Sequence, residues 1–305
     1  MSLRPFLART LLFTPADRPS AMTKALMLAA DVVVLDMEDA VAVQEKEATR
    51  VQLASFLSSI TPPPARTAQT YPKIMVRINC PVTTPFGLQD LASLAPLEGR
   101  FDALLLPKVE SLQTVQNASE LLFYGSPRAT EQVPFIWAMI ESCRGLHEVE
   151  AIARSPLVAG LVFGSNDMTK DLRAQPSADR LPLLYAMSRT VAAARAAGKV
   201  VVDGVYMDLS DDGAGLRKDA ALGRSLGFEG KTLIHPRQVA AANEVYSPSS
   251  AELAAARGVV LAFAEAQAGG RGVCVYAGRL VEALHVEQAR ELLEMHESIL
   301  RRAAQ

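Results

Sequence analysis

The chain has 305 residues, 50% of them hydrophobic, with 31 Lys and Arg against 33 Asp and Glu for a formal net charge of −2. That balance, with basic residues scattered along the chain, excludes a nucleic-acid stripe or another polyanion-binding surface. Cys80, Cys143 and Cys274 are widely spaced and form no CxxC pair, which argues against a zinc site or a disulfide framework and for a reducing, cytoplasmic setting.

The chain opens on MSLRPFLARTLLFTPADRP. Its apolar core is short and broken by Arg9 and Thr10, with no small-residue cleavage site, unlike a secretory signal. No stretch approaches the ~20 apolar residues of a membrane span. From there short apolar runs read as strands near 10–14, 32–37, 73–79, 103–108, 134–141, 158–164, 199–205 and 230–235. Helical stretches alternate with them near 19–29, 45–58, 87–94, 111–122, 144–153, 180–197, 213–226 and 236–245. The strand runs are almost continuous in Val, Leu and Ile, as expected where helices cover a parallel sheet. Eight such βα units in about 245 residues match the length of a (β/α)8 TIM barrel. An open doubly wound sheet fits less well, because FTPADRP follows the first strand where a Gly-rich turn is usual. The Pro-rich stretch 61–72 reads as a surface loop. Beyond 246 lies an extension over 247–305: a helix from about 249 to 268, an extended stretch turning at Ala277-Gly278, and an amphipathic helix near 285–302. It either packs beneath the barrel or covers a neighbouring copy as a lid.

Nearly every strand run closes on a group that chemistry can use: Glu38 and Asp39, Arg77, Lys108, Glu141, Asp167, Asp203 and His235. In a parallel barrel these ends converge on one mouth, where such folds place their active sites. Glu141 and Asp167 end two consecutive strands and are the best metal candidates. Two hard oxygen ligands with no His or Cys nearby favour Mg2+ or Mn2+ over zinc. The alternative is that each carboxylate caps the helix that follows. Arg77 offers a planar fork for a substrate carboxylate, or an ion pair with Glu38 or Asp39, or both. Glu38 and Asp39 could hold metal-bound waters, or one of them could cap the helix near Val43.

Lys108 could neutralise a carboxylate, pair with Glu141, or form a rim ion pair. His235 reads as a structural residue more readily than as a base. Asp203 and Tyr206 are weaker candidates for the mouth. Arg18 and Lys24, beside the first strand, could meet phosphates or be ordinary solvated charge. Cys143 lacks the signature of a nucleophile elbow.

Several motifs taken together resemble one family: LLFTPADRPSAMTKAL, ADVVVLDMEDAVA, VRIN, LLLPKVES, WAMIES, GLVFGSNDMTKDL and LGFEGKTLIHPRQV, in this order from Thr10 to Val245. The chain is similar to the citrate lyase β-subunit-like proteins of the HpcH/HpaI aldolase/citrate lyase group, which include malyl-CoA and citramalyl-CoA lyases. The resemblance implies an Mg2+-dependent barrel that makes or breaks a C–C bond in a 3-hydroxyacyl thioester of coenzyme A. It places the metal on Glu141 and Asp167, with Glu141 also facing substrate, and the carboxylate grip on Arg77. Water near the metal falls to Glu38 and Asp39, and CoA or acyl contacts to Phe13, Arg18, Lys24 and His235. It also implies a homo-oligomer, trimer or hexamer, whose C-terminal segment covers a neighbour's site. In that segment Gly278-Arg279-Leu280-Val281-Glu282 stands where the CoA lyases end on Asp, so Glu282 is the expected proton donor, one methylene longer. The same resemblance leaves room for an aldolase of free 2-oxo-3-hydroxy acids, for the citryl-carrier subunit of a complex, or for a non-catalytic thioester-binding subunit.

Overall fold

The computed structural model describes residues 6–60, 72–124 and 135–303. The loop expected at 61–72 lies outside the described residues apart from Pro72. The chain divides into two compact units, Met1–Tyr246 and Ser247–Gln305.

The first unit is a closed barrel of eight parallel strands in sequential order. They are β1 (Thr10–Pro15), β2 (Val32–Asp36), β3 (Lys73–Arg77), β4 (Ala103–Leu106), β5 (Ile136–Ile140), β6 (Val158–Phe163), β7 (Val200–Asp203) and β8 (Gly230–Leu233). Around them run α1 (Pro19–Ala25), α2 (Lys46–Ser59), α3 (Pro85–Leu94), α4 (Leu112–Leu122), α5 (Cys143–His147), α6 (Val149–Arg154), α7 (Ser165–Asp171), α8 (Leu184–Ala196), α9 (Ala214–Leu226) and α10 (Gln238–Tyr246).

Strand side chains alternate between two separate cores, as the period of two requires. Leu12, Val33, Leu35, Ile74, Val76, Leu104 and Leu161 pack outwards against the helices. Leu11, Val32, Val34, Met75, Leu105, Trp137, Met139, Val162 and Val202 fill the lumen. Trp137 is the largest lumen residue, and it fits because Gly160 on the next strand is bare: a Cβ there would lie 2.8 Å from the indole. Phe6 stacks on the same indole at 5.6 Å and closes the N-terminal end of the lumen.

Two helices differ from the sequence reading. The stretch near 144–153 is broken at Glu148 into α5 and α6. The helix expected over 180–197 begins only after a 3-10 turn at Leu181–Leu183, and α7 precedes it directly after β6. With SNDMTKD as its sequence, α7 has one buried apolar residue, Met168, too few to show a helical stripe.

Asp203, at the end of β7, points outwards into a buried ion cluster. Its carboxylate takes Arg180 Nη1 and Nη2 at 2.6 and 2.7 Å and Lys231 Nζ at 2.9 Å. Lys231 also meets Asp219 of α9. The cluster ties the strand to the helical layer.

In the second unit α11 (Ser250–Ala268) starts on a reciprocal cap between Ser249 and Glu252. A hairpin follows, β9 (Cys274–Tyr276) with β10 (Arg279–Val281), turning at Ala277 and Gly278 with φ of 48° and 75°. The last helix, α12, spans Ala283–Ala303. Phe263, Val281 and Val286 form this unit's own small core. The three cysteines are free thiols, and among the described residues no helix is long and apolar enough to cross a membrane.

Candidate active site

Continuing the alternation from the lumen residues Val34, Met75 and Met139 by two positions reaches Asp36, Arg77 and Glu141. All three keep the inward parity and meet at the C-terminal mouth. Asp36 and Arg77 are register partners on β2 and β3. The guanidinium donates from Nε to Asp36 Oδ1 and from Nη2 to Asp36 Oδ2, both at 2.7 Å. Asp36 was not among the residues expected from the sequence. The fork edge of Arg77 expected to grip a substrate carboxylate is therefore occupied by Asp36, a partner additional to the ion pairs expected with Glu38 or Asp39.

The remaining nitrogen, Nη1, lies 3.1 Å from Glu38 Oε2 and 3.4 Å from Asp39 Oδ2. The face of the guanidinium covers the ring of Phe13 at 4.5 Å. Burial works against the charge of Arg77, but Asp36, with Glu38 and Asp39 behind it, outweighs burial and raises its pKa above the ordinary value.

The acidic turn after β2 is fixed from several sides. Asp36 accepts from the amides of Glu38 and Ala40 at 2.9 and 3.2 Å. Lys46 Nζ donates to the carbonyls of Met37 and Glu38, and Asn79 Nδ2 to that of Met37. Neither Glu38 nor Asp39 caps the short helix at Val43–Glu45, whose N-cap is Ala42.

Lys108 connects two acids of the mouth, Glu38 and Glu141. Its Nζ donates to Glu38 Oε1 at 2.5 Å, and its amide donates to Glu141 Oε1 at 2.7 Å. The backbone reaches that position in the left-handed region, with φ of 51°, a conformation uncommon for a non-glycine residue. The side-chain partner is thus Glu38 rather than Glu141.

Glu141 is 4% exposed. Burial, then the charge of Glu38, pushes its carboxyl up to about 7; the amide of Lys108 pulls the other way and Asp167 adds to the rise. Burial also raises the pKa of Glu38, against the pull of Arg77 and Lys108. Its Oε2 faces Arg77 and makes no directed hydrogen bond among the described residues.

Neither metal candidate is a helix cap. Ser142 caps α5, accepting from Gly145 N at 3.0 Å, and Gly164 occupies the N-cap of α7. Asp167 lies in the first turn of α7 and borders, with Glu141, a cavity of about 320 Å3. Phe13, Asp39, Arg77, Ser165, Val205, Met207 and Ile234 complete much of its wall. Its size suits a small organic acid.

The residues fit a divalent cation. Among the described residues no group of three His, Cys, Asp or Glu could hold a metal ion, so a cation here would rest on two carboxylates and water. Glu38 and Asp167 both raise the pKa of Glu141, an excess of negative charge that a cation would relieve. Gly164, lacking a Cβ, leaves the space that Glu141 Oε2 fills.

Other expected residues stand apart from this cavity. Asp203 faces outwards, and Tyr206 donates to Asp211 Oδ2 at 2.8 Å. His235 has the outward parity of β8: its Nδ1 accepts from Arg237 N at 3.1 Å, and it lines a neighbouring cleft with Asp208 and Arg217. Arg18 and Lys24 are exposed on and before α1, and Arg18 Nε is 3.9 Å from Asp17. In the second unit Glu282 immediately precedes α12, and its amide donates to His285 Nδ1 at 3.1 Å.

The family model for HpcH/HpaI aldolase/citrate lyase matches residues 9–236. The chain belongs to that family. The matched span of this citrate lyase-type barrel runs from before Phe13 to just past His235. A (3S)-malyl-CoA thioesterase of Cereibacter sphaeroides is 40% identical over 292 residues, covering 95% of each chain. The human mitochondrial citramalyl-CoA lyase is 31% identical, covering 95% of this chain and 86% of its own. Among solved structures, the CitE protein of Mycobacterium tuberculosis in complex with magnesium, acetoacetate and coenzyme A superposes with a TM-score of 0.75. That match is 30% identical and covers 99% of this chain and 100% of the other.

Proposed function

We propose that this member of the HpcH/HpaI aldolase/citrate lyase family cleaves a 3-hydroxyacyl-CoA thioester, of the malyl-, citramalyl- or citryl type, into acetyl-CoA and a 2-oxo acid. The observation that carries the reading is that Glu141 and Asp167 line one small cavity with Arg77 in its wall. The identity to the citramalyl-CoA lyase and the likeness to a protein holding magnesium, acetoacetate and coenzyme A support it.

Glu141 and Asp167 would hold Mg2+, or Mn2+ in its place, which when bound supplies Lewis-acid polarisation of a substrate oxygen. Arg77, oriented by Asp36, presents Nη1 and a fixed positive charge to the carboxylate of the departing acid. Lys108 sets the rotamer of Glu141 through its amide and that of Glu38 through its ammonium. Glu38 and Asp39 accept hydrogen bonds from water and hold the guanidinium in place.

In cleavage the hydroxyl gives its proton to a water held by the carboxylates of Glu38 and Asp39, and its oxygen becomes that of the new carbonyl. The electron pair of the broken C–C bond passes to the thioester α-carbon, which then takes a proton. Glu282 of a second copy in a trimer or hexamer is the proposed donor. Among the described residues its carboxylate makes no hydrogen bond, so it is free for that use. Phe13 lines the acyl end, while exposed Arg18 and Lys24 and the cleft of His235 are assigned to the charged and polar parts of the CoA carrier. Three free thiols suit a reducing compartment, in keeping with a cytoplasmic enzyme.

A second reading is hydrolysis of the same thioester, favoured by the 40% identity to a malyl-CoA thioesterase. The deciding experiment offers malyl-, citramalyl- and citryl-CoA with Mg2+ or with EDTA and identifies the products. Acetyl-CoA with glyoxylate, pyruvate or oxaloacetate supports the lyase; free CoA with the intact hydroxy acid selects hydrolysis. Turnover of free hydroxy acids alone, or no Mg2+-dependent product from any thioester, overturns both.

A further inference from the structure

The cavity contains a buried hydroxyl that no described residue pairs with. Ser165, the first residue of α7, is 8% exposed, and its Oγ makes no hydrogen bond among the described residues. It shares the cavity wall with Arg77, Glu141 and Asp167. The other polar groups of that wall are largely committed. Thr232 Oγ1 donates to the carbonyl of Asp203 at 3.1 Å. Asp36 is saturated by Arg77 and by the amides of Glu38 and Ala40. Buried polar groups in folded proteins are rarely left in this state, because the lost hydration is not repaid.

The surroundings also make room for this hydroxyl. A Cβ on Gly204, which follows β7, would fall 2.5 Å from Ser165 Oγ and 2.9 Å from the carbonyl of Phe163. The chain is bare where the serine stands. An orphaned hydroxyl and a glycine that clears its space therefore coincide on one cavity.

We propose that Ser165 is a substrate-binding residue whose Oγ–H donates a hydrogen bond to an oxygen of the small acid held in this cavity. The inference rests on the reading of the cavity as the 2-oxo acid site and adds a neutral, directional contact to the charged ones. Its physical signature is distinctive. Removing a hydroxyl that is paired within the protein destabilises the free protein, whereas removing one that waits for a ligand does not. The loss appears when ligand binds.

The test combines thermal unfolding of the ligand-free protein with calorimetric titration of pyruvate, glyoxylate and oxaloacetate in the presence of Mg2+. Ser165→Ala should leave the ligand-free Tm unchanged or raised and weaken binding of the preferred acid by roughly three- to tenfold, the span of one neutral hydrogen bond. Ser165→Cys, which keeps the bulk but donates poorly, should also bind more weakly than the wild type. Equal affinity in the wild type and both variants overturns the assignment while leaving the site intact. A ligand-free Tm that falls in Ser165→Ala marks the hydroxyl as structural and likewise overturns it. Wild-type protein that binds none of the three acids overturns the reading of the cavity, and this inference with it.

Discussion

A Cβ on Gly164 would stand 2.4 Å from Glu141 Oε2 and equally close to the Cβ of Glu141. The glycine is thus the space into which a buried carboxylate projects. Gly164→Ala should turn that carboxylate away from Asp167. The expected result is a loss of Mg2+ affinity and turnover of at least about tenfold, the scale for displacing a group that orients a metal ligand. Metal titration followed by fluorescence, with circular dichroism to confirm the fold, checks it.

The raised pKa of Glu141 makes stability depend on pH. With an ordinary value of 4.5 and a folded value of about 7, the metal-free folded protein binds the extra proton inside that window. Stability is then full below the ordinary value and declines as pH rises through about 7. Denaturant melts without metal should show that decline, and Glu141→Gln should flatten it. Because Mg2+ needs the ionised carboxylate, its apparent affinity should drop about tenfold for each pH unit below 7.

Arg77 has a structural task alongside its proposed catalytic one. Arg77→Ala leaves Asp36, 1% exposed, without its bidentate partner, and should cost about 3–5 kcal/mol of stability. Adding Asp36→Ala should recover part of that stability and none of the turnover. Urea melts beside steady-state rates separate the two effects. A double variant with restored rates would refute the role given to the guanidinium.

Asp203 supplies the contrast. Asp203→Ala leaves the buried Arg180 and Lys231 with only the partly exposed Asp219 between them, so unfolding free energy should fall by about 3 kcal/mol. KM at a temperature where the variant is folded should stay unchanged, since the side chain points away from the cavity.

If Glu282 acts on a neighbouring copy, mixing two inactive variants regenerates working sites. Arg77→Lys and Glu282→Ala proteins, dissociated and reassembled together, should recover about a quarter of wild-type activity per site in a random mixture. Mixed assemblies that stay inactive would place the proton donor elsewhere.

The eight strands were legible because each is a run of apolar residues bounded by polar ones, and a barrel buries both faces of each run. The acids Glu141 and Asp167 were legible as the ends of such runs. Which strand ends face the lumen is written in the odd or even spacing from the core residues, and that spacing distinguishes Asp36 from Asp203 and His235. Treating all strand ends alike placed Asp203 and His235 at the mouth and passed over Asp36, although it ends VVVLD opposite Arg77. Ser165 and Gly164 carried no sequence signal of their own. Their meaning depends on residues at the ends of neighbouring strands, Gly204 for Ser165 and Glu141 for Gly164. The short α7 was hidden because a seven-residue polar helix has no stripe to read.

The alternation along β5 limits how this barrel can vary in length. Trp137, Met139 and Glu141 all face inwards, so deleting or inserting one residue between the indole and the carboxylate would rotate one of them into the helical shell. Either the lumen would lose its filling or the mouth would lose its acid. Relatives that keep both can gain or lose residues in the connecting segments, but within this strand they can do so only in pairs.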